Sequence, residues 1–423
     1  MKPAHSILRH TLTAFGLIVG VIGTWLHTRV TDFPIDMVIY REGVKAYLEG
    51  RSVYSEPMMA GDVALPFIYP PFGAFVMVPL TAFGWIDNDM AGNIMIVLSN
   101  ILVLVCLYFV FQAILPKRDL LWPVVACVWA LDMAIEPIRL NNDFAQINIV
   151  VMALVVLDLV PRKRWLPQGI LIGLAAAIKI TPLAILLYFL LRKEARPIFT
   201  ALASAVVATV VAGLFRWQAF VEFFSTKLFA LGSGSNVGVA TEYQSNSSIK
   251  GALQRLFSSA ESMEAQSTLL NVTWLVLSLL VIVCGSALIL ALLKRSMLVD
   301  AQLITALVML LISPVSWSHH WVWLSLVLPV FIYRAWTWRH HTWVAGSLLT
   351  VLVAWLAMLV TVPPKWWFGD AINVFAMPFY QKFLVDDFVW LALISVALYA
   401  ICLRTVPGTA HSSSPASSRS AAM

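Results

Sequence analysis

Charged residues are scarce in this 423-residue chain. Asp, Glu, Lys and Arg make up 12% of it, whereas 60% of its residues are hydrophobic. Soluble domains usually carry roughly 25% charged residues. This composition excludes a soluble globular domain, a disordered chain and a small disulfide-bonded scaffold. It predicts a polytopic membrane protein, and the long continuous apolar runs favour spanning helices over the alternating pattern of a β-barrel.

Cysteine is also sparse and forms no recognisable ligand pattern. Cys106, Cys127, Cys284 and Cys402 each lie in an apolar run, and none belongs to a CxxC motif or a Cys/His cluster. We therefore expect buried free thiols, with neither a disulfide nor a zinc site. The chain also lacks an HExxH motif, a Walker motif and a GxGxxG loop. These absences disfavour a cytosolic enzyme that uses ATP or a nucleotide sugar, and the sequence predicts no metal and no cofactor.

Apolar segments predict about twelve transmembrane helices. They lie at roughly 11–28, 91–115, 120–135, 146–160, 168–178, 182–191, 197–214, 271–293, 301–313, 321–333, 342–361 and 387–403. The run 168–191 is divided near Pro182 because proline breaks a helix and restrains the residue before it. Each half is then shorter than the ~20 residues that cross a bilayer. We expect these halves to tilt, to thin the membrane or to line a cavity.

Basic residues predict the orientation of these spans. If the N-terminus is cytoplasmic and 66–84 does not cross, every strongly basic turn lies inside: 116–118, 161–164, 191–196, 294–295 and 334–339. This arrangement follows the positive-inside rule and accounts for the net charge of +6 without a nucleic-acid partner. We expect a multi-pass plasma-membrane protein with both termini cytoplasmic. A single transmembrane domain covers 1–404, and a disordered cytoplasmic tail follows over 405–423.

Three long segments, 29–90, 215–270 and 362–386, then lie outside the membrane. Polar residues at membrane depth are costly and are functional candidates by default, and here they converge on this exterior side. They are Asp36, Tyr69, Arg139, Gln146, Asn148, Lys179, Asn246, Trp317, His319 and His320. A carboxylate suits a general base, and cations suit a departing phosphate. With aromatic rings to stack on sugars, the set is typical of transfer from a lipid-phosphate sugar donor.

Three of these candidates also have a simpler structural interpretation. Asp36 could be the N-cap of a helix over 37–49, which would explain its position without chemistry. Lys179 could extend its ammonium group to the membrane interface. Arg139 could form a salt bridge with the nearby Glu136. Each interpretation is kept open here, because the sequence does not distinguish it from a role in the site.

The histidine pair and the tryptophans beside it also have alternatives. His319 and His320 are adjacent, so on a helix their side chains point in different directions. One of them could therefore make only a structural hydrogen bond, and the pair is weak evidence for a metal site. Trp321 and Trp323 are most simply interpreted as part of an interfacial aromatic belt.

Several short motifs occur in an order that resembles a known enzyme family. They are Asp36 within Ile-Asp-Met-Val-Ile-Tyr, then 66–72, 136–139, 146–148, 178–182 and 313–323. In this order the chain resembles the polyprenyl-phosphate-mannose-dependent α-1,2-mannosyltransferases, the PimE-like group of glycosyltransferase family 87. The resemblance runs from about residue 30 to 325, and the Ser-Pro-Val-Ser-Trp-Ser-His-His-Trp run in 313–323 is its most specific part.

This resemblance implies an all-α GT-C fold with about twelve transmembrane helices, periplasmic juxtamembrane helices and a periplasmic active site. It also implies inverting transfer of mannose from polyprenyl-phosphate-mannose to a phosphatidylinositol mannoside of the bilayer, with an α-1,2 bond formed. The family's essential aspartate corresponds to Asp36, and its Trp-x-His-His element to His319 and His320. We add Lys179 and Arg139 as candidate phosphate ligands. Candidate sugar contacts are Tyr40, Tyr69, Gln146, Asn148, Asn246 and Trp317.

Two departures from the family pattern bear on the acceptor. The usual glycine before Gln146 is Ala145 here, which predicts a slightly different turn, and 245–251 differs from the Asn-Gln-Ser-aromatic element of relatives. The alternatives within the family are α-1,2 branching of lipomannan or lipoarabinomannan and transfer of another sugar such as arabinose. Outside the enzyme class, the alternative is a lipid-linked sugar transporter, which the absence of repeated sequence halves weakens.

Overall fold

A computed structural model describes the backbone of residues 2–30, 33–233, 238–370 and 372–406. From 407 onward, the predicted tail lies outside the described residues. The first half contains the helices α1 (Lys2–Val30), α2 (Ile35–Glu49), α3 (Pro71–Met77), α4 (Asn88–Ile114), α5 (Leu121–Asp132), α6 (Glu136–Asp143), α7 (Asn148–Leu159), α8 (Ile170–Ile178), α9 (Leu186–Arg192) and α10 (Ala195–Phe215).

The second half continues the helical architecture. Its helices are α11 (Trp217–Glu222), α12 (Leu228–Ser233), α13 (Ile249–Arg255), α14 (Ala260–Ala265), α15 (Ser267–Lys294), α16 (Leu298–Ile312), α17 (Leu324–Thr337), α18 (Thr342–Val360), α19 (Phe379–Val385) and α20 (Asp387–Thr405). Short 3-10 turns occupy Val78–Leu80, Arg118–Leu120, Thr181–Ile185, Ser318–Trp323, Pro364–Trp366 and Val374–Ala376, and a π-helical turn occupies Phe223–Lys227.

In the part of the chain that is described, six helices are long and apolar enough to cross a membrane, and a seventh span results if α5 and α6, which meet at a 64° bend, are counted together. The six are α1, α4, α10, α15, α18 and α20. The chain is therefore a multi-pass membrane protein. A helix lies within each of the twelve predicted segments, but the other six are short. The 12 residues of α7 rise only ~18 Å, whereas a bilayer core is ~30 Å thick.

The core of the helix bundle surrounds α16. Every residue from Val299 to Leu311 is buried, so this helix contacts protein on all sides. In contrast, α10 and α15 expose long rows of apolar side chains, such as Val206, Val207 and Leu279, which is the surface expected against lipid. The short helix α16 thus lies inside the bundle, between the long helix α15 and shorter elements such as α9.

Glycines allow two helix pairs to pack backbone against backbone. A Cβ on Gly173 of α8 would lie 2.3 Å from the carbonyl oxygen of Ala201 in α10, and a Cβ on Gly16 of α1 would lie 2.5 Å from the backbone of Ala126 in α5. Small residues permit such close approach between membrane helices. These contacts hold α8 against α10 and α1 against α5.

Helix boundaries beside the candidate residues correct one interpretation and confirm another. Helix α2 begins at Ile35 after Pro34, and Asp36 lies in its first turn without accepting a capping bond. The N-cap interpretation of Asp36 is therefore wrong, because the helix starts one residue before it. The predicted division of 168–191 is confirmed, since α8 ends at Ile178 and a 3-10 turn containing Pro182 follows.

Two smaller features also differ from the sequence predictions. A two-stranded antiparallel hairpin, β1 (Met58–Ala60) and β2 (Val63–Leu65), interrupts the all-α fold. It turns at Gly61, whose φ of +59° lies in the left-handed region that favours glycine. The expectation of buried cysteines is confirmed for Cys106 and Cys402, whereas Cys127 is only half-buried. It is wrong for Cys284, which is exposed among the apolar side chains on the surface of α15.

Candidate active site

Asp36 is held by a glutamine 110 positions away in the sequence. Nε2 of Gln146 donates to Oδ2 of Asp36 at 2.6 Å. Asp36 lies in the first turn of α2 and Gln146 lies just before α7, so this bond joins the starts of two helices. The Asp36 side chain is half-buried. Its carboxylate is therefore fixed in position yet remains accessible to a substrate.

Two tyrosines determine which way the Gln146 amide points. Tyr40 donates its hydroxyl to Oε1 of Gln146 at 2.6 Å, and Tyr69 does so at 3.2 Å. Burial raises the pKa of both phenols, so both hydroxyls stay protonated. Because Oε1 is occupied as an acceptor, Nε2 faces Asp36. Tyr40 and Tyr69 are 2% and 5% exposed, and both lie against Gln146, where they orient its amide group.

A second set of contacts leads from Gln146 to a lysine and a histidine. Nδ2 of Asn148 donates to Oε1 of Gln146 at 3.4 Å, and Nζ of Lys179 donates to Oδ1 of Asn148 at 2.7 Å. Nζ of Lys179 also lies 3.0 Å from Nε2 of His320. An ammonium group can only donate, so Nε2 of His320 accepts and the imidazole is neutral. Asp36 and His320 are thus the two ends of one connected chain of five side chains.

Lys179 is therefore not a surface lysine that reaches toward the membrane interface. Its ammonium group is occupied by Asn148 and His320, and it also lies 5.6 Å from the centre of the Tyr69 ring. Lys179 follows the end of α8, and the proline-containing turn after it prevents the helix from continuing. The break in 168–191 thus directs a cation into the same cluster as Asp36.

His319 and His320 point in different directions, as predicted. Their rings meet at 82° with centroids 4.9 Å apart, and His319 also packs edge-on against Phe144 at 5.4 Å. Neither ring nitrogen of His319 has a hydrogen-bond partner among the described residues, although the side chain is buried. Burial, together with the charge of Lys179, lowers the pKa of His319 to about 3. His319 is therefore a neutral imidazole with both nitrogens available to a bound group.

Burial shifts the pKa values of Asp36 and Lys179 toward neutral pH. It raises the pKa of Asp36 to about 6, against the opposing effects of the Gln146 hydrogen bond and the Lys179 charge. It lowers the pKa of Lys179 to about 7, against the opposing charge of Asp36. A base is most effective when its pKa lies near the working pH. Asp36 is thus a stronger base than an ordinary aspartate while remaining mostly ionised at pH 7.

These pKa values predict a bell-shaped pH dependence of kcat/KM. Activity rises as Asp36 loses its proton through about pH 6 and falls as Lys179 loses its charge through about pH 7. The measurement is kcat/KM for the donor from about pH 5 to about pH 9. Lys179→Arg removes the alkaline limb but leaves the acid limb, because a guanidinium group stays charged throughout this range. A profile without an acid limb in both proteins would contradict the role of Asp36.

The turn that presents Gln146 contains a left-handed residue. Ala145 has φ of +50°, a conformation that costs an L-residue about 1–2 kcal/mol and that glycine adopts freely. The turn is closed by Ala145 N–H donating to Asn142 at 2.9 Å and by Gln146 N–H donating to Asn141 at 2.8 Å. The alanine therefore occupies the backbone conformation that the family's usual glycine would favour.

Arg139 is not brought into the cluster. Its Nη2 donates to the carbonyl oxygen of Thr361 at 3.2 Å. The alternative salt bridge between Arg139 and Glu136 is not seen either. The recorded partner of Glu136 is the indole of Trp366, which donates to Oε1 at 3.0 Å. The role of Arg139 as a phosphate ligand stays a prediction, and the contacts of its guanidinium group do not support it.

Asn246 and Trp317 lie beside the 3-10 turn Ser318–Trp323, which contains His319 and His320 and is called the histidine turn below. The Asn246 side chain is fully buried, accepting from Ser316 N–H at 2.9 Å and donating to Thr241 at 2.7 Å. It therefore holds backbone in place, and a direct sugar contact would require it to move. Trp317 is half-buried beside Tyr243, with ring centroids 6.4 Å apart. Its ring is the more accessible of the two for stacking on a sugar.

Sequence reasoning missed two features next to the histidine turn. Trp321 is 0% exposed and packs against Trp355 and Phe388, and Trp323 is 5% exposed, so the prediction of an interfacial belt is wrong for both. Lys365 was not considered, although it is fully buried and lies 3.0 Å from Asp387. The only signal was a lysine placed between prolines and tryptophans in an exterior segment.

The arrangement combines a fixed carboxylate, a buried ammonium group and a neutral imidazole without partners. Such a set can remove a proton at Asp36 and stabilise negative charge near Lys179. Among the described residues, no three His, Cys, Asp or Glu side chains lie together as metal ligands would. The arrangement therefore resembles a site for group transfer to a hydroxyl from a donor with an anionic leaving group.

Comparison with known proteins identifies the family. Residues 67–314 match glycosyltransferase family 87. The chain belongs to this family. The matched region contains Tyr69, Gln146, Asn148 and Lys179, while Asp36 precedes it and the histidine turn follows it. The cluster of a carboxylate, an ammonium group and an imidazole is thus the candidate active site of a family 87 glycosyltransferase.

Several named proteins are similar to this chain over most of their length. A polyprenol-phosphate-mannose-dependent alpha-(1-2)-phosphatidylinositol mannoside mannosyltransferase of Mycolicibacterium smegmatis is 32% identical over 369 residues, or 79% of each chain. The enzyme of that name from Mycobacterium tuberculosis is 32% identical over 355 residues, or 80% of each chain. A polyprenol-phosphate-mannose-dependent alpha-(1-2)-phosphatidylinositol pentamannoside mannosyltransferase of M. smegmatis is 31% identical over 74% of this chain and 72% of its own.

Proposed function

We propose that this chain is an inverting α-1,2-mannosyltransferase. It moves mannose from polyprenyl-phosphate-mannose to a phosphatidylinositol mannoside in the same bilayer. The named activity of the similar proteins supports the donor and the linkage. The single observation that carries the mechanism is the hydrogen-bonded chain from Asp36 through Gln146, Asn148 and Lys179 to His320.

In the proposed reaction, Asp36 acts as the general base. The acceptor's 2-hydroxyl oxygen forms a bond with C1 of mannose while its proton passes to the Asp36 carboxylate. On the opposite side of C1, the bond to the phosphate oxygen breaks, and its electron pair leaves with polyprenyl phosphate. Attack from the side opposite the leaving group inverts the configuration at C1. Gln146 holds the carboxylate in the orientation that this proton transfer requires.

Lys179 and the histidines serve the leaving phosphate. The Lys179 ammonium group neutralises the developing charge, and His320 orients that ammonium group by accepting a hydrogen bond from it. His319, whose ring nitrogens have no partner among the described residues, donates one N–H to a phosphate oxygen. Phosphate leaves readily, so no general acid is required.

We also propose a GT-C fold with twelve spans, both termini in the cytoplasm and the site on the periplasmic side. Residues 1–404 then form one catalytic domain, with 29–90 and 215–270 as periplasmic segments. The positions of the basic turns support this orientation, as does the helix present in each of the twelve segments. The short helices α7, α8 and α9 cross together with the turns that join them, shielded from lipid by the longer helices.

The assay that tests this function uses membranes containing the full-length chain and radiolabelled polyprenyl-phosphate-mannose. Purified phosphatidylinositol mannosides with different numbers of mannoses serve as acceptors, since the similar proteins are named for two such classes. We expect a labelled glycolipid that is one mannose longer than the acceptor. Product only with lipomannan, or only with an arabinose donor, would replace the proposed substrates. Movement of the donor lipid without a new glycosidic bond would indicate a transporter.

A further inference from the structure

Lys365 is the centre of a group of buried polar side chains that lies outside the hydrogen-bonded chain from Asp36 to His320. Its side chain is fully buried, and its Nζ lies 3.0 Å from Oδ1 of Asp387. Nζ also donates to Oγ of Ser247 at 2.7 Å and to Oγ of Ser318 at 3.2 Å. The backbone N–H of Lys365 donates to the other carboxylate oxygen of Asp387 at 3.1 Å. The residue is therefore fixed through both its side chain and its backbone.

These contacts use the whole donor capacity of the ammonium group. A lysine ammonium has three donors and no acceptor, and Ser247, Ser318 and Asp387 receive one each. No donor remains for a substrate. Lys365 therefore acts on the protein itself, unlike Lys179, whose ammonium group bonds to two of the described side chains, Asn148 and His320, and so keeps a third donor.

The two serines belong to segments that already pair with each other. Asn246 and Trp317 form an isolated antiparallel bridge, and Ser247 N–H donates to the carbonyl oxygen of Ser316 at 2.8 Å. Lys365 belongs to a third segment, the 3-10 turn Pro364–Trp366 before α19. Its ammonium group donates to the hydroxyls of both Ser247 and Ser318. Hydrogen bonds thus connect three segments that are far apart in the sequence, and one of them ends at Ser318, immediately before His319.

The position of His319 depends on these hydrogen bonds because its own ring makes none with the described residues. Both ring nitrogens lack a partner among the described residues, and the ring is placed only by packing against Phe144 and His320. Its position therefore depends on the backbone, through its own carbonyl oxygen, which accepts from Nδ2 of Asn148 at 3.4 Å, and through the preceding residue, Ser318. The Ser318 hydroxyl bonds to Lys365, and the Ser318 N–H donates to Oγ of Ser245 at 3.2 Å.

We propose that Lys365, bound to Asp387, is a positioning residue that fixes the turn carrying His319 and His320 by holding the hydroxyls of Ser247 and Ser318. The kinetic part of this inference rests on the proposed transfer reaction, whereas the structural part does not. Loss of the contact leaves substrate binding largely intact but displaces the imidazoles that meet the leaving phosphate.

The test compares Lys365→Met and Ser318→Ala with Lys382→Met. Lys382 belongs to the same exterior segment, is also buried and donates to the carbonyl oxygen of Phe257 at 2.9 Å, but it has no bond to the histidine turn. We expect Lys365→Met to lower kcat by about 10²-fold, the scale of a ~1 Å misplacement of catalytic groups. KM for both substrates should change less than about twofold. Lys382→Met should leave kcat unchanged.

Ser318→Ala keeps the test decisive if Lys365→Met does not fold. It removes the Ser318 hydroxyl, which accepts from Lys365 and from Oγ of Ser245 at 3.3 Å, and leaves the Lys365–Asp387 pair in place. We expect kcat to fall by about 10-fold. Hydrogen exchange of the backbone amides of 316–320, measured without substrate, should accelerate in Lys365→Met and Ser318→Ala but not in Lys382→Met.

The exchange measurement separates failure of this inference from failure of the proposed function. Wild-type protein that makes no product, with faster exchange in Lys365→Met and Ser318→Ala, would retain the positioning role and reject the proposed reaction. Unchanged exchange at 316–320 in the folded Ser318→Ala protein would overturn the inference. A fall in kcat with Lys382→Met as large as that with Lys365→Met would also overturn it, since the effect would then be general destabilisation.

Discussion

Asp36→Asn should abolish nearly all mannose transfer while the protein still folds. Asparagine has the size of aspartate, and its side-chain oxygen can still accept the hydrogen bond from Gln146 that Asp36 accepts at 2.6 Å. It cannot take the proton of the acceptor hydroxyl. General-base catalysis contributes about 10²–10⁴-fold, so we expect kcat to fall by that factor. The measurement is the rate of labelled product formation with purified protein in detergent.

Asp87→Asn is the matched control for this substitution. Asp87 is the N-cap of α4, where its side chain accepts from Met90 N–H, and asparagine caps a helix about as well as aspartate. The control makes the same change from acid to amide outside the candidate site, and it should retain wild-type kcat. If Asp36→Asn kept more than about a tenth of the wild-type rate, Asp36 would not be the general base.

Lys179→Met should impair use of the donor much more than use of the acceptor. The substitution keeps the apolar stem but removes the ammonium group that lies between Asn148 and His320. Loss of one group that stabilises transition-state charge costs about 10²–10³-fold in kcat. We expect kcat to fall by this factor and KM for polyprenyl-phosphate-mannose to rise as well, so that kcat/KM falls further for the donor than for the acceptor. KM for the acceptor should remain near its wild-type value.

Lys45→Met controls for loss of a lysine in the same part of the molecule. Lys45 lies on α2 and pairs with Glu42 at 2.6 Å, with both side chains partly exposed. Such surface pairs contribute at most about 1 kcal/mol to stability, and this one lies outside the cluster, so activity should be unchanged. Equal losses of donor and acceptor use in Lys179→Met would argue against contact between Lys179 and the phosphate.

The sequence predicts most of what depends on local pattern. Apolar runs predict a helix in each of twelve segments, and Pro182 predicts the break beside Lys179. The topology inferred from basic residues also places Asp36, Gln146, Lys179 and the histidine turn on one side of the membrane. The structure joins these residues through hydrogen bonds. Convergence of distant segments is predictable here because each candidate follows or precedes a recognisable span.

Contacts between two irregular segments are not predictable in this way. Trp366 bonds to Glu136 across 230 positions, and Lys365 bonds to Ser247 across 118, yet no periodicity or motif marks either pair. Their positions depend on how exterior segments fold over the helix ends. Hydropathy also does not distinguish lipid-facing from buried apolar residues. For this reason the sequence predicts Trp321 in an interfacial aromatic belt, although the structure buries it completely.

Burial is the physical property that turns these polar residues into a site. An exposed aspartate and an exposed lysine would titrate far from neutral pH, whereas here the pKa of Asp36 is raised to about 6 and that of Lys179 lowered to about 7. The hydrogen bonds of Gln146 and Asn148 hold the two groups at a fixed separation. The proposed base and the proposed phosphate ligand are therefore tuned together by a single hydrogen-bonded network.

The central claim is tested most directly by analysing the product of the purified wild-type protein. Labelled polyprenyl-phosphate-mannose and a phosphatidylinositol mannoside are the substrates, and the linkage and anomeric configuration of the transferred mannose are determined. The account predicts a single added mannose in an α-1,2 bond, formed with inversion and absent from Asp36→Asn. A β-linked mannose, or α-1,2 product made equally well by Asp36→Asn, would contradict it.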